Sequence, residues 1–156
     1  MTAATETPTA LERYSFELIN KSRKKAGAAP VALSPVLCRF ARAHARDMLA
    51  KNYFSHSNQF GENAQKRALK AGIKGGVYEN LGWQDGPEKA KQMVDELDKS
   101  FMSEPEGAMN HRGIILKAEH KYAGVGIAEG KTDSNANQIY LVQVFSEFNP
   151  DARNDQ

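Results

Sequence analysis

Four histidines, His44, His56, His111 and His120, hold most of this sequence's capacity for chemistry. His56 stands in Tyr53-Phe54-Ser55-His56-Ser57, a polar tip after an aromatic pair that can anchor the segment while the imidazole faces outward. His111 stands in Asn110-His111-Arg112-Gly113-Ile114-Ile115-Leu116, where an irregular stretch turns back into an apolar run. Each reads as a structural histidine or as a ligand. No two of the four have the HExxH spacing that puts two imidazoles on one helical turn, so a metal site would be assembled from distant segments. Two carboxylates are their natural companions. Glu79, in Tyr78-Glu79-Asn80-Leu81-Gly82, is an acid inside an apolar, strand-like segment and needs a partner or a solvated cleft. Glu104 lies just past a helix, seven residues before His111.

The remaining candidates read as structural. His44 falls within the apolar stripe of a helix and reads as a packed core histidine with one hydrogen bond. His120, in Lys117-Ala118-Glu119-His120-Lys121, reads as a solvated loop residue. Gly61-Glu62-Asn63-Ala64 looks like the Glu79 segment but opens a polar helix and is set aside. Cys38 lies within a helix with nothing to activate its thiol. Ser55 and Ser57 flank His56, but adjacency along the chain is not triad geometry. There is no P-loop, dinucleotide fingerprint or Gly-x-Ser-x-Gly elbow.

The elements that must position these residues follow from periodicity and punctuation. Leu11, Tyr14 and Leu18, widened by Phe16 and Ile19, predict a helix from about Ala10 to Ala26 that stops at Gly27. Ser34-Pro35 is a strong helix start, and Leu37, Phe40, Ala41, His44, Ala45 and Met48 then make one stripe to about Asn52. A short helix over 61–71 and a third long helix from Pro87 to Met102 follow the same logic. Val77 to Trp83 is a strand or an extended loop. Residues 122–128 and 139–145 are strands, joined as a hairpin through Lys131–Asn137. Helices first and strands last predict an α+β domain over residues 10–149. Residues 1–9 read as a disordered lead and 150–156 as a polar tail.

Composition narrows the function classes. With 156 residues the chain has the length of one domain. Lys plus Arg number 21 against 19 Asp plus Glu, which lacks the basic excess of a protein that neutralises many phosphates. Nucleic acid is therefore not an expected partner. No apolar run approaches the roughly 20 residues needed to span a membrane. One cysteine rules out an internal disulfide framework and a Cys-based zinc site. The first residues have neither the basic nor the apolar region of a signal peptide.

The ordered set Ala43-His44-Ala45-Arg46-Asp47-Met48, Tyr53-Phe54-Ser55-His56-Ser57, Glu79-Asn80-Leu81, Phe101-Met102-Ser103-Glu104, His111 to Leu116, Gly124-Val125-Gly126-Ile127 and Val142-Gln143-Val144-Phe145 resembles the CAP superfamily of SCP-like extracellular domains, in its disulfide-free bacterial branch. The resemblance implies a three-layer α-β-α sandwich with a central antiparallel sheet and a wide cleft containing two histidines and two acids. His56 matches the first cleft histidine, Glu79 the acid of the Gly-Glu-Asn-Leu motif and His111 the second histidine. Phe101 to Glu104 resembles the Trp-x-x-Glu helix end, making Glu104 the second acid, with Glu106 as the fallback. Tyr78 replaces the glycine before Glu79, which implies a narrower cleft or a phenol within it.

Such a tetrad suits a divalent metal. Two neutral imidazoles favour zinc at about 2.0–2.1 Å, with positions left open for water. The carboxylates would either ligate or, as the resemblance favours, orient the imidazole N–H groups. The leading expectation is a secreted or envelope-associated domain, its leader missing from this chain, whose cleft holds a metal and an unidentified lipid or peptide ligand without turnover. The alternatives are a zinc-dependent hydrolase of peptides or esters with Glu79 or Glu104 as general base, a lipid or sterol binder that ignores the tetrad, and a hydrogen-bonded network that only braces loops.

Overall fold

The computed structural model describes residues 8–151. Positions 1–7 and 152–156, which the sequence reads as part of the lead and tail, lie outside the described residues. The element order is α1 (Ala10–Lys25), β1 (Ala32–Leu33), α2 (Pro35–Lys51), α3 (Ala64–Lys70), β2 (Val77–Gly86), α4 (Ala90–Met102), α5 (His111–Leu116), β3 (Tyr122–Lys131) and β4 (Asn137–Ser146). The helix punctuation read from sequence is realised closely. Thr9, assigned above to the lead, is instead the N-cap of α1 and forms a reciprocal capping box with Glu12. Ser34 caps α2, with Pro35 in its first turn. The tail also makes a contact at its start, where the Val36 N–H donates to Asp151 Oδ1 at 3.1 Å.

The four strands form one sheet in the order β1-β3-β4-β2. β4 is antiparallel to both neighbours, while the two-residue β1 runs parallel to β3. The sheet is thus antiparallel except at this short edge, which carries no hydrophobic alternation to announce it. Strand alternation splits the core into two clusters. Leu37, Phe40, Ala41, Ala45 and Met48 of α2 and Ala68 of α3 pack with Leu81, Ala128, Tyr140, Val142 and Val144. Ile19 of α1, Met93, Val94 and Leu97 of α4 and Ile115 of α5 pack with Val125, Ile127, Leu141 and Phe145. The result is helix, sheet, helix.

Two contacts lock the layers together. A Cβ on Gly126 would lie 2.0 Å from the Arg42 backbone nitrogen, and one on Gly124 would lie 2.3 Å from the Leu37 carbonyl carbon. Only glycine lets the α2 backbone lie this close to β3. Across the sheet's edge, Glu12 is fully buried and accepts from Arg42 Nε at 2.9 Å, from Arg42 Nη2 at 2.5 Å and from the Ile127 N–H at 3.0 Å. Burial alone would raise this carboxyl, but Arg42 and the Thr9 and Ile127 N–H groups outweigh it and hold it below the ordinary range. One carboxylate therefore ties α1, α2 and β3.

His120 corrects the sequence reading. It is not a solvated loop residue but 2% exposed, stacked on Phe145 with ring centroids 4.9 Å apart and edge-on to Tyr78 at 5.2 Å. Its charged sequence neighbours stay at the surface while the ring turns inward. Neither ring nitrogen has a hydrogen-bond partner among the described residues. Burial, reinforced by Arg23 and Lys117, lowers the imidazole from 6.5 to about 4.

Two outcomes follow from these buried groups. The unfolded state binds more protons than the native state between pH 6.5 and about 4, so His120 lowers stability as pH falls through that window. Denaturant titrations across it should show a shallower pH slope in His120→Phe than in the wild type. Glu12→Ala leaves Arg42 buried without this carboxylate and should cost about 3–5 kcal/mol, read as a shift in denaturant midpoint. A loss under about 1 kcal/mol would contradict the role given to the pair.

Candidate functional site

The first half of the site hangs from the end of α2. Asn52 takes a left-handed conformation at φ 55° and turns the chain out of the helix. The following loop is pinned by His44, whose Nε2 meets the Ser55 carbonyl at 2.8 Å, and by the Tyr53 hydroxyl, which donates to Asp47. His44 is the packed core histidine expected, and burial lowers its imidazole. His56 follows, with a side chain 57% exposed, and its Nδ1 donates to Glu79 Oε1 at 2.9 Å.

Glu79 projects from β2 and is 2% exposed in its side chain. Its charge is met by Arg67 of α3, whose Nη2 lies 2.9 Å from both carboxylate oxygens and 2.8 Å from the His56 carbonyl. Arg67 thus fixes the acid and the histidine's backbone together. The guanidinium lies over the Phe40 ring, 5.5 Å from its centroid. No sequence signal singled out this arginine, because nothing local distinguishes it from the other basic residues of α3.

The second half is built at the junction of α4 and α5. Asn110 caps α5, accepting from the Gly113 N–H at 2.8 Å and donating to the Pro105 carbonyl at 2.8 Å. A Cβ on Gly113 would lie 1.8 Å from the Gly107 carbonyl oxygen, so the glycine lets the loop close tightly. That closure brings Glu104 onto the start of the helix despite the short spacing. His111 Nδ1 donates to Glu104 Oε2 at 2.7 Å, and the Arg112 N–H donates to Oε1 at 3.1 Å. Burial would raise the Glu104 carboxyl, but His111 and the Arg112 N–H hold it below the ordinary range. Phe101 stacks on the His111 ring at 4.4 Å with planes 8° apart, fixing the imidazole's orientation. The acid bonded to His111 is Glu104; Glu106 lies with Arg112 beside a separate concavity of about 630 Å³.

β2 joins the halves. Glu79 faces the α2–α3 layer, and its neighbour Asn80 faces the α1–α4–α5 layer. Asn80 Nδ2 donates to the His111 carbonyl at 3.2 Å and to Gln143 Oε1 at 3.2 Å. Tyr78, on the Asn80 side, packs edge-on to His120 and beneath Lys117. Its ring therefore lies on the face opposite the Glu79 side chain. Glu62, set aside from sequence, pairs with Lys70 and Asn58.

The two dyads have the same chemistry. A carboxylate bound by a guanidinium or by a helix N–H acts as an acceptor, so in the neutral form of each imidazole Nδ1 carries the proton and Nε2 keeps a lone pair. Among the described residues no group of three or more His, Cys, Asp or Glu is placed to hold a metal ion.

The sequence pattern of the CAP family, the cysteine-rich secretory proteins, matches residues 16–145. YkwD of Bacillus subtilis is 31% identical over 128 residues, covering 82% of this chain and 46% of its own length. The chain thus spans about half of that relative. An extracellular SCP-domain protein of Bacillus anthracis superposes with a TM-score of 0.66 at 22% identity, over 88% of this chain and 40% of its own. An outer surface protein of Borrelia burgdorferi does so with 0.61 at 16% identity, over 86% and 90%. Among the described residues no helix is long and apolar enough to cross a membrane. With the family pattern covering most of the chain, the chain belongs to the CAP family of cysteine-rich secretory proteins.

Proposed function

We propose that the cleft holds a divalent metal through Nε2 of His56 and Nε2 of His111 and presents it to a ligand without turning that ligand over. The observation that carries this reading is the paired Nδ1–carboxylate bond, at 2.9 Å for His56 and 2.7 Å for His111. Outer carboxylates of this kind set the tautomer and orient a ligating imidazole. Zinc suits two neutral imidazoles, and when bound it would supply a Lewis acid with exchangeable positions.

Hydrolysis with Glu79 or Glu104 as general base is the weaker reading. Both oxygens of Glu79 face Arg67 and one also takes His56; Glu104 gives one oxygen to His111 and the other to the Arg112 N–H. Each oxygen of the two acids already accepts from a protein donor, which lowers its basicity toward a water proton. The reading places the domain outside the cytoplasm or in the envelope, supported by the relatives described as extracellular and outer surface proteins.

Calorimetric titration with zinc near neutral pH should show one saturable site in the wild type and none in the His56→Ala, His111→Ala double variant. Absence of binding by the folded wild type would overturn the proposal. Glu79→Gln and Glu104→Gln should each weaken zinc about 10–100-fold, because an amide orients the imidazole less firmly and removes the charge behind it. Unchanged affinity in both would remove the carboxylates from the account.

A further inference from the structure

The outer edge of β2 is an unpaired peptide template lying between the two dyads. β2 is the last strand of the sheet. In an antiparallel pair, alternate residues turn their N–H and C=O toward the partner strand and away from it. Two independent bonds establish the phase. The Val77 N–H donates outward to Gln65 Oε1 at 3.0 Å. On the far side, the Ala123 carbonyl accepts from the Ser34 N–H, so Ala123 faces β1 and Tyr122 faces β4. With Tyr122 opposite Ser146 and Ser146 opposite Val77, Ser146 faces β3 and Val77 again faces out. The register runs unbroken to Gly86, so Glu79, Leu81 and Trp83 also point their backbone groups outward.

Among the described residues, nothing bonds to the outward N–H or C=O groups of these three. The opposite edge of the sheet is treated differently. There β1 covers Ala123 and Glu12 takes the Ile127 N–H. Along the β2 edge Glu79 and Leu81 are 6% and 5% exposed, their side chains turned into the α2–α3 layer. Trp83 is 44% exposed and its strand partner is Tyr140, against whose ring Phe54 lies at 6.5 Å. Phe54, itself 51% exposed, and Trp83 thus flank Tyr140 as an apolar shelf beside the open edge.

We infer that the cleft takes an extended peptide, which pairs with Glu79, Leu81 and Trp83 as a fifth strand and rests an apolar side chain on Phe54 and Trp83. The free stretch spans about 13 Å between Glu79 and Trp83, enough for a peptide of roughly five residues. Its backbone supplies donors and acceptors at the two-residue spacing that the edge presents, which a lipid chain cannot do. The inference rests on the cleft being a ligand site and names the class of that ligand. It does not require the metal.

The test is amide hydrogen exchange on the full chain. Without peptide, the amides of Glu79, Leu81 and Trp83 should exchange faster than those of Asn80, Gly82 and Gln84, which face β4. The probe is a pool of acetylated heptapeptides alternating threonine with valine, leucine or phenylalanine. It should slow the three outward amides about tenfold or more, and the same pool N-methylated at every amide should not. Trp83→Ala should weaken the protection. The measurement is repeated with chelator and in the His56→Ala, His111→Ala variant, where protection should persist. Zinc binding without peptide protection would overturn this inference and leave the metal reading standing; protection without zinc binding would do the reverse. Slowing by the N-methylated pool, or protection confined to other segments, would also overturn it.

Discussion

Glu79 and Asn80 leave β2 on opposite faces, and both halves of the site depend on that alternation. One residue holds the imidazole of His56, and the next holds the backbone of His111. A slip of one residue in the pairing of β2 with β4 would exchange the two side chains and disconnect both histidines. The ten-residue register with β4 is what prevents it. The remaining polar contacts extend this arrangement outward. Arg67 braces Glu79 from α3, while Gln143 links Asn80 to Ser15 of α1.

The sheet can act as a ruler only because the helical layers cannot shift on it. Gly124 and Gly126 admit the α2 backbone to close contact with β3, and Glu12 binds Arg42 and Ile127 across the junction. The loop carrying His56 begins where α2 ends, so the position of α2 sets that histidine's starting point. α4 plays the matching role for the other dyad, because Phe101 near its end stacks on His111 and Glu104 follows directly. Rigid elements therefore position the site, although both histidines lie at loop or helix boundaries.

Local chemistry made much of the fold legible. Ser34-Pro35 announced α2, Gly27 marked the end of α1, and the β-branched run in β4 could hardly be anything but a strand. What stayed hidden was dictated by contacts distant in sequence. β2 continues through polar Gln84, Asp85 and Gly86 because residues 137–139 pair with them, not because the segment alternates. α5 is only six residues long, and its glycine answers to the Gly107 carbonyl rather than to helix propensity. His120 sat among charges on the chain yet lies beneath Tyr78 and Phe145 in space. Local sequence made the two histidines and two acids candidates, and the resemblance chose them as a set. Periodicity can place each on an element but cannot bring four segments together, and it offered no reason to choose Arg67.

The account turns on two imidazoles held alike, each donating its Nδ1–H to a carboxylate. Nitrogen-15 NMR of the histidine side chains tests this most directly, because it distinguishes the two ring nitrogens. In their neutral form His56 and His111 should both be protonated at Nδ1 and bare at Nε2, and added zinc should move the Nε2 resonances of both. An Nε2-protonated tautomer at either histidine, or zinc that binds while both Nε2 signals stay fixed, would contradict it.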